Sequence, residues 1–255
     1  MSGRLRTEAR ALALAWLFLA RVPLPFEVRA TGRDMAAAMR YLPAVGALIG
    51  LAGAAVLLLA GQLLPATPAV LLSIGATCLL TGALHEDGLA DLFDGLGGAD
   101  REHALAIMRD GRIGTYGALA LGLTVATKAS ALTAMPLGPA AAAIVAGHAT
   151  SRLSALAVIA TSRYARPGGT GGFTAAGPSG RALALAAATG GLVLLAIGPV
   201  LGTGAVLAGA AGLLAGHLLA RACFERRLGG YTGDCLGATQ QLSELGFYLG
   251  VLAWP

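Results

Sequence analysis

Tyr41 to Leu84, YLPAVGALIGLAGAAVLLLAGQLLPATPAVLLSIGATCLLTGAL, contains no charged residue and no histidine. At about 20 residues per crossing, such a run is long enough for two transmembrane helices. Ala182 to Gly216 is a second uncharged run. Composition agrees: of 255 residues 56% are hydrophobic and 12% charged, and the mean hydropathy is +0.73, well above that of ordinary soluble domains. The chain therefore reads as a polytopic membrane protein. Its 38 glycines fit this class, since small residues let helices in a bilayer approach closely.

Working outward from these runs, hydropathy predicts spans at roughly 41–62, 68–84, 113–134, 138–160, 181–199, 203–223 and 237–254. The connections at Gln62 to Pro68, Met135 to Pro139 and Pro199 to Gly202 carry no charge, whereas those at 27–40, 85–112, 161–181 and 221–235 carry nearly all of it. Bare and charged loops alternate, as successive crossings require, and the Arg content assigns the charged loops to the cytoplasm. The expected fold is all-α: an integral membrane helical bundle of about seven transmembrane helices, forming a single membrane-embedded domain over residues 1–255. Residues 11–26 contain Arg21, Pro23 and Pro25 and read as an N-terminal interfacial or re-entrant helix. Arg4, Arg6 and Arg10 before an apolar stretch imitate a signal peptide, but the stretch ends at Arg21-Val-Pro-Leu-Pro rather than at a small-residue cleavage site.

The net charge of +5 and pI near 9.6 do not indicate a nucleic-acid partner, because the basic residues flank apolar spans, where they report orientation and contact with the lipid bilayer. Cys78, Cys223 and Cys235 form neither a CxxC pair nor an even set, so no disulfide framework is expected. The oligomeric state is open, homo-oligomers included.

Against this apolar background His85 to Gly98, HEDGLADLFDGLGG, concentrates Glu86, Asp87, Asp91 and Asp94. On a helix Asp87, Asp91 and Asp94 are spaced i, i+4, i+7 and lie within about 60° of one another, while Glu86 points elsewhere. A carboxylate stripe without interleaved Lys or Arg repels itself unless a cation sits on it, and oxygen ligands favour Mg²⁺ or Mn²⁺ over zinc. The plain alternative is a solvated acidic loop. These four residues are the candidate metal ligands, with His85 beside them as a candidate substrate contact.

The following segment places Arg109, Asp110 and Arg112 at the next membrane entry. Paired guanidinium groups beside a carboxylate-bound cation form a clamp for a diphosphate, so Arg109 and Arg112 are candidate phosphate contacts. In GGYTGDCLGA from Gly229, Thr232 is a candidate substrate contact and Asp234 a metal ligand or a base, the alternative being a helix cap. Asp94 and Asp110 are the other catalytic candidates. Lys128, about 20 Å along its helix from Ile113, either contacts substrate or forms an ion pair inside the bundle; Arg152 either contacts phosphate or snorkels to the interface. Glu244, in the last span, partners a buried cation or lines a cavity. The phrase Ala-Gly-His-x-x-x-Arg occurs at Ala146 and again at Ala215, each time followed by a Gly-rich loop (GGTGG from Gly168, GGYTGD from Gly229), which hints at a duplication. His85, His103, His148 and His217 show no zinc spacing.

Six blocks in order resemble the adenosylcobinamide-GDP ribazoletransferase (cobalamin synthase) family: FLARVPLPF from Phe18, YLPAVGALIG from Tyr41, HEDGLADLFDGLGG from His85, IMRDGRIGTYG from Ile107, GHATSR containing Arg152, and GGYTGDCLGATQQLSEL from Gly229. The resemblance implies a Mg²⁺-dependent membrane transferase that joins α-ribazole, or α-ribazole 5′-phosphate, to adenosylcobinamide-GDP and releases GMP. It implies a metal on Asp87, Asp91 and Asp94, phosphate contacts from Arg109, Arg112 and Arg152, and a base at Asp234 or Asp110. Asp91-x-x-Asp94-Gly95 also resembles part of the motif of CDP-alcohol phosphotransferases, without that motif's Ala-Arg and later paired Asp, so the likeness is one of mechanism. A transporter is the competing class. Transporters set their binding residues near the midplane, whereas the ionisable residues here gather at one face.

Overall fold

Each of the seven predicted spans folds as one helix. The computed structural model describes residues 3–28, 32–166 and 177–255. Its elements are α1 (Gly3–Leu19), α2 (Gly32–Ala38), a 3₁₀ turn (Met39–Tyr41), α3 (Leu42–Ala60), α4 (Ala66–Thr81), α5 (Leu84–Leu96), α6 (Arg101–Ile107), α7 (Thr115–Thr133), α8 (Leu137–Thr161), α9 (Gly180–Leu201), α10 (Thr203–Leu228) and α11 (Gly233–Ala253). The first Gly-rich loop of the repeated phrase, GGTGG from Gly168, lies outside the described residues. Among the described residues there is no β-sheet; one parallel bridge joins Tyr164 to Tyr231.

Four segments are long and apolar enough to cross a membrane by themselves: Asp34–Ala60, α8, α9 and α10. A fifth qualifies only as the pair α4 and α5, bent by 89°. Helices stand at all seven expected positions, but among the described residues the spans that qualify by length and composition number four, or five with the bent pair, because α7 and α11 are too polar. The reason lies in their inward faces. Lys128 on α7 meets Gln241 and Glu244 on α11, so the polar groups answer one another inside the bundle while lipid sees the remaining surface.

Small residues set the spacing. A Cβ on Gly212 of α10 would overlap the carbonyl oxygen of Gly246 on α11, and one on Gly216 would overlap that of Leu242. These two helices therefore pack backbone against backbone, as membrane helices with small residues four apart do. Gly46 on α3 similarly lies under the Arg152 side chain, 2.5 Å from its Cδ for an added Cβ. At one end of the bundle short links join α3 to α4, α7 to α8 and α9 to α10; the charged connections all emerge at the other.

Two features brace the charged end. Gly82 (φ 64°) and Ala83 (φ 55°) both take the left-handed conformation, which turns α5 away from α4. Ala83 is the only non-glycine residue at positive φ among those described, at a cost of about 1–2 kcal/mol. Arg101 of α6 donates to the carbonyls of Leu228 (2.8 Å) and Ala165 (2.6 Å), fixing the loops that follow α8 and α10. The N-terminal segment is one helix, α1, laid on α2 and α3 through Ala11, Leu14, Ala15 and Leu19 and pinned to the α4–α5 corner by Arg21 N–H donating to Leu80 O at 2.8 Å.

Candidate active site

The helical spacing anticipated for the acidic stretch is present: α5 runs from Leu84 to Leu96 with Leu89 and Leu92 buried on the opposite face. Its approach to α11 depends on two glycines. A Cβ on Gly88 would lie 2.8 Å from the carbonyl oxygen of Asp234, and one on Gly237 would lie 3.0 Å from that of His85. With both positions empty, the first turn of α11 nests against α5. Asp87, Asp91 and Asp234 then come close enough to repel one another, and Asp87 and Asp234 line the same cavity.

That cavity, about 280 Å³, is enclosed by α1, α3, α5, α8 and α11. His85 and Arg152 line it with the two aspartates. Arg152 is 2% exposed, so it does not snorkel. One of its terminal nitrogens donates to His148 O at 2.9 Å and lies 3.0 Å from His148 Nδ1, while its Nε is buried with no partner. Asp234 Oδ2 accepts from Arg166 at 2.8 Å and from the Thr232 hydroxyl at 3.3 Å. Arg166 was not a candidate from sequence. It sits in a charged loop with no motif around it, and the Tyr164–Tyr231 bridge together with the Arg101 bonds to Ala165 and Leu228 brings it to α11. Its position in a basic loop directly before Pro-Gly-Gly is the one signal that could have singled it out.

Several expected residues are engaged elsewhere. Asp94 turns from the stripe: its carboxylate accepts from Gly114 N–H (2.7 Å) and Gly117 N–H (2.8 Å) at the start of α7, where a negative charge offsets the helix's unpaired donors. Gly114 and Gly117 leave room for it, since a Cβ on either would collide with that carboxylate. Glu86, expected among the metal ligands, points into the bundle, accepting from Gln241 at 2.9 Å. Lys128, expected either on substrate or in an ion pair, forms the pair, with Glu244 Oε1 and Gln241 Oε1 each at 2.7 Å. Thr232 is the N-cap of α11, its hydroxyl accepting from Cys235 N–H at 3.4 Å. The cap is therefore Thr232, which leaves Asp234 to Arg166.

Arg109 and Asp110 are exposed in the α6–α7 loop outside the cavity. Arg112 Nε donates to Asp110 Oδ1 at 3.0 Å, and this guanidinium holds the Asp110 carboxyl below the usual carboxylate range. Of the three carboxylates expected in catalytic roles, Asp234 alone lines the cavity. The repeated His–Arg phrases also part company. His148 and Arg152 are buried together, whereas His217 pairs with Ser154 (2.9 Å) and Arg221 with Glu225 (3.0 Å) on a partly exposed face. Among the described residues no group of three or more His, Cys, Asp or Glu side chains is arranged to hold a metal.

A multi-pass helical membrane protein with a carboxylate-lined cavity at the charged end of its bundle is the class these features define. The sequence model of the cobalamin-5-phosphate synthase family matches residues 11–252, and the chain belongs to that family. It is 44% identical to the adenosylcobinamide-GDP ribazoletransferase of Ralstonia nicotianae, with 100% of this chain and 99% of the relative covered. The enzymes of that name from Leptothrix cholodnii (44% identity, 96% of each chain) and Shewanella amazonensis (39%, 97% and 96%) are also similar. No solved structure matches the chain.

Proposed function

We propose that the chain transfers the phospho-cobinamide group of adenosylcobinamide-GDP to α-ribazole or its 5′-phosphate, with release of GMP, at the cytoplasmic face of a bacterial inner membrane. Family membership supports the reaction, and the gathering of Arg-bearing loops at the site's end of the bundle supports the orientation. The observation that carries the site is the meeting of Asp87, Asp234 and the buried Arg152 in one cavity.

Asp87 and Asp91 lie one turn apart on a helix without Lys or Arg, and they offer only carboxylate oxygens. Such a pair fits Mg²⁺, which takes one or two protein carboxylates and leaves its other positions to water and substrate phosphates. Mg²⁺ held there supplies charge neutralisation on the diphosphate oxygens. Asp94 is assigned to α7 rather than to the ion.

The protein's own groups do the rest. Asp234 Oδ2 is tied to Arg166 and Thr232, which leaves Oδ1 to take the proton of the ribazole hydroxyl as that oxygen bonds to the cobinamide-linked phosphorus. The bond from that phosphorus to the GMP oxygen breaks, and GMP leaves with the electron pair. Arg152, fixed and shielded from water, stabilises negative charge gathering on the phosphoryl oxygens. Arg109 and Arg112, on the exposed loop, meet the nucleotide phosphates from the aqueous side. Leu42 and Ile159 keep the cavity wall apolar and so exclude water as a competing nucleophile.

The test is GMP release by the purified protein in liposomes, given adenosylcobinamide-GDP, α-ribazole and Mg²⁺. Asp91→Asn should lower turnover by about 10³-fold or more, with the protein still monodisperse and α-helical. Wild-type turnover in that variant would remove the metal site. Absence of GMP from the wild type would remove the reaction.

A further inference from the structure

We infer that the 280 Å³ cavity is the seat of the acceptor, with the aromatic base of the ribazole against α1 and α3 and its ribosyl end against α5, α8 and α11; this rests on the transferase reading above. Size comes first. At about 280 Å³ the space lies just under the range usual for small-molecule sites, about 300–1,000 Å³, which leaves room for one fused bicyclic ring with its sugar and none for a corrinoid. The donor must therefore present its diphosphate at the rim while its macrocycle stays outside.

The lining is sorted in the way such an acceptor requires. Phe18 and Leu19 of α1 and Leu42 of α3 are apolar, whereas His85, Arg152 and Asp234 come from the other three helices. One of these polar groups carries a donor that the protein leaves unpaired. Arg152 Nε is buried with no acceptor, and the His85 ring, 7% exposed, stands beside it in the lining. An unsatisfied buried donor costs about 1–3 kcal/mol. A ribosyl or phosphate oxygen of the acceptor would relieve it, and would bring the neighbouring hydroxyl towards Asp234.

This assignment gives α1 a function. The helix is held at one end by Arg21 against the α4–α5 corner, and at the other by Glu8, which accepts from the Tyr41 hydroxyl at 2.7 Å and pairs with Arg40. It stands outside the spans as a fixed wall of the cavity, and Phe18 selects the base.

Two variants test the cavity from opposite directions. Ala155→Phe, on the α8 wall, should raise the KM for α-ribazole by about tenfold or more while leaving the KM for adenosylcobinamide-GDP within about twofold. Phe18→Ala, on an exposed and more tolerant helix, should change the ratio of kcat/KM for benzimidazole and purine ribosides by about fivefold or more. Binding of labelled α-ribazole without donor, by equilibrium dialysis of the intact protein in detergent, should weaken in parallel in Ala155→Phe. A rise confined to the donor KM, or unchanged acceptor KM and base preference in Phe18→Ala, overturns the inference. If the wild type releases no GMP, the transferase reading fails, and the dialysis comparison still decides whether α-ribazole occupies the cavity.

Discussion

Two groups of polar side chains interrupt this apolar chain, one at the charged end of the bundle and one in its middle, and they differ in whether the protein itself satisfies them. In the middle, Glu244 receives Lys128 at 2.7 Å, the Tyr248 hydroxyl at 3.0 Å and the amide of Gln240, while Gln240 also reaches Ser151 at 2.9 Å. Nearly every donor has an acceptor, and the enclosed space is about 20 Å³, room for no ligand. At the charged end Asp87 is exposed, Asp91 has no cation on its own helix, and the Nε of Arg152 is orphaned beside a cavity of about 280 Å³. Closed polar networks hold a bundle together, and open ones receive something. Buried charge alone does not distinguish them.

The largest effect that could break this contrast is on stability. Lys128→Met leaves Glu244 buried without its cation and should cost about 3–5 kcal/mol, measured as lost thermal stability in detergent. Lys128→Met combined with Glu244→Gln should return to within about 1–2 kcal/mol of wild type, because both charges are then gone. The KM for either substrate in the folded fraction should stay as in the wild type. A large KM change in the double variant would mean that the middle network reaches substrate and that the two regions are one site.

A smaller effect separates the aspartates of α5. Asp94→Asn keeps one acceptor for Gly114 and Gly117 but removes the charge at the start of α7, for a loss of about 1–2 kcal/mol. Turnover in this variant should fall far less than in Asp91→Asn. Equal losses would return Asp94 to the metal.

How far the sequence discloses these roles depends on the range of the interaction. The positions of the seven helices follow from hydropathy along the chain, which is local, and so does the helical register of Asp87, Asp91 and Asp94. The direction in which each carboxylate turns is not local. Asp94 leaves the stripe because Gly114 and Gly117, from another helix, present two N–H groups within reach, and no spacing within HEDGLADLFDGLGG encodes that. Glu86 is drawn inward by Gln241, from the far end of the chain. Arg166 reaches Asp234 through a backbone bridge between two loops and the Arg101 bonds that fix them. Lys128 shows the intermediate case: its depth in an apolar helix announces a partner, and Glu244 is visible as an intramembrane acid, but pairing them needs the packing of α7 on α11.

The smallest effect concerns the corner that aims α5. Ala83 stands in the left-handed region at φ 55°, directly before the helix bearing His85 and Asp87, and no comparable strain occurs in the middle network among the described residues. Strain of this kind persists where surrounding contacts impose it, and here Gly82 packed beneath Arg21 and the bond from Arg21 N to Leu80 O impose it. Ala83→Gly removes the Cβ clash and should raise stability by about 0.5–1 kcal/mol, the relief being partly offset by the greater freedom of glycine in the unfolded chain. If the corner only sets geometry, GMP release should be retained. A more stable protein with weakened release would show instead that the rigidity of Ala83 holds Asp87 against Asp234, and that the open region is kept in register by strain where the closed one is kept by its hydrogen bonds.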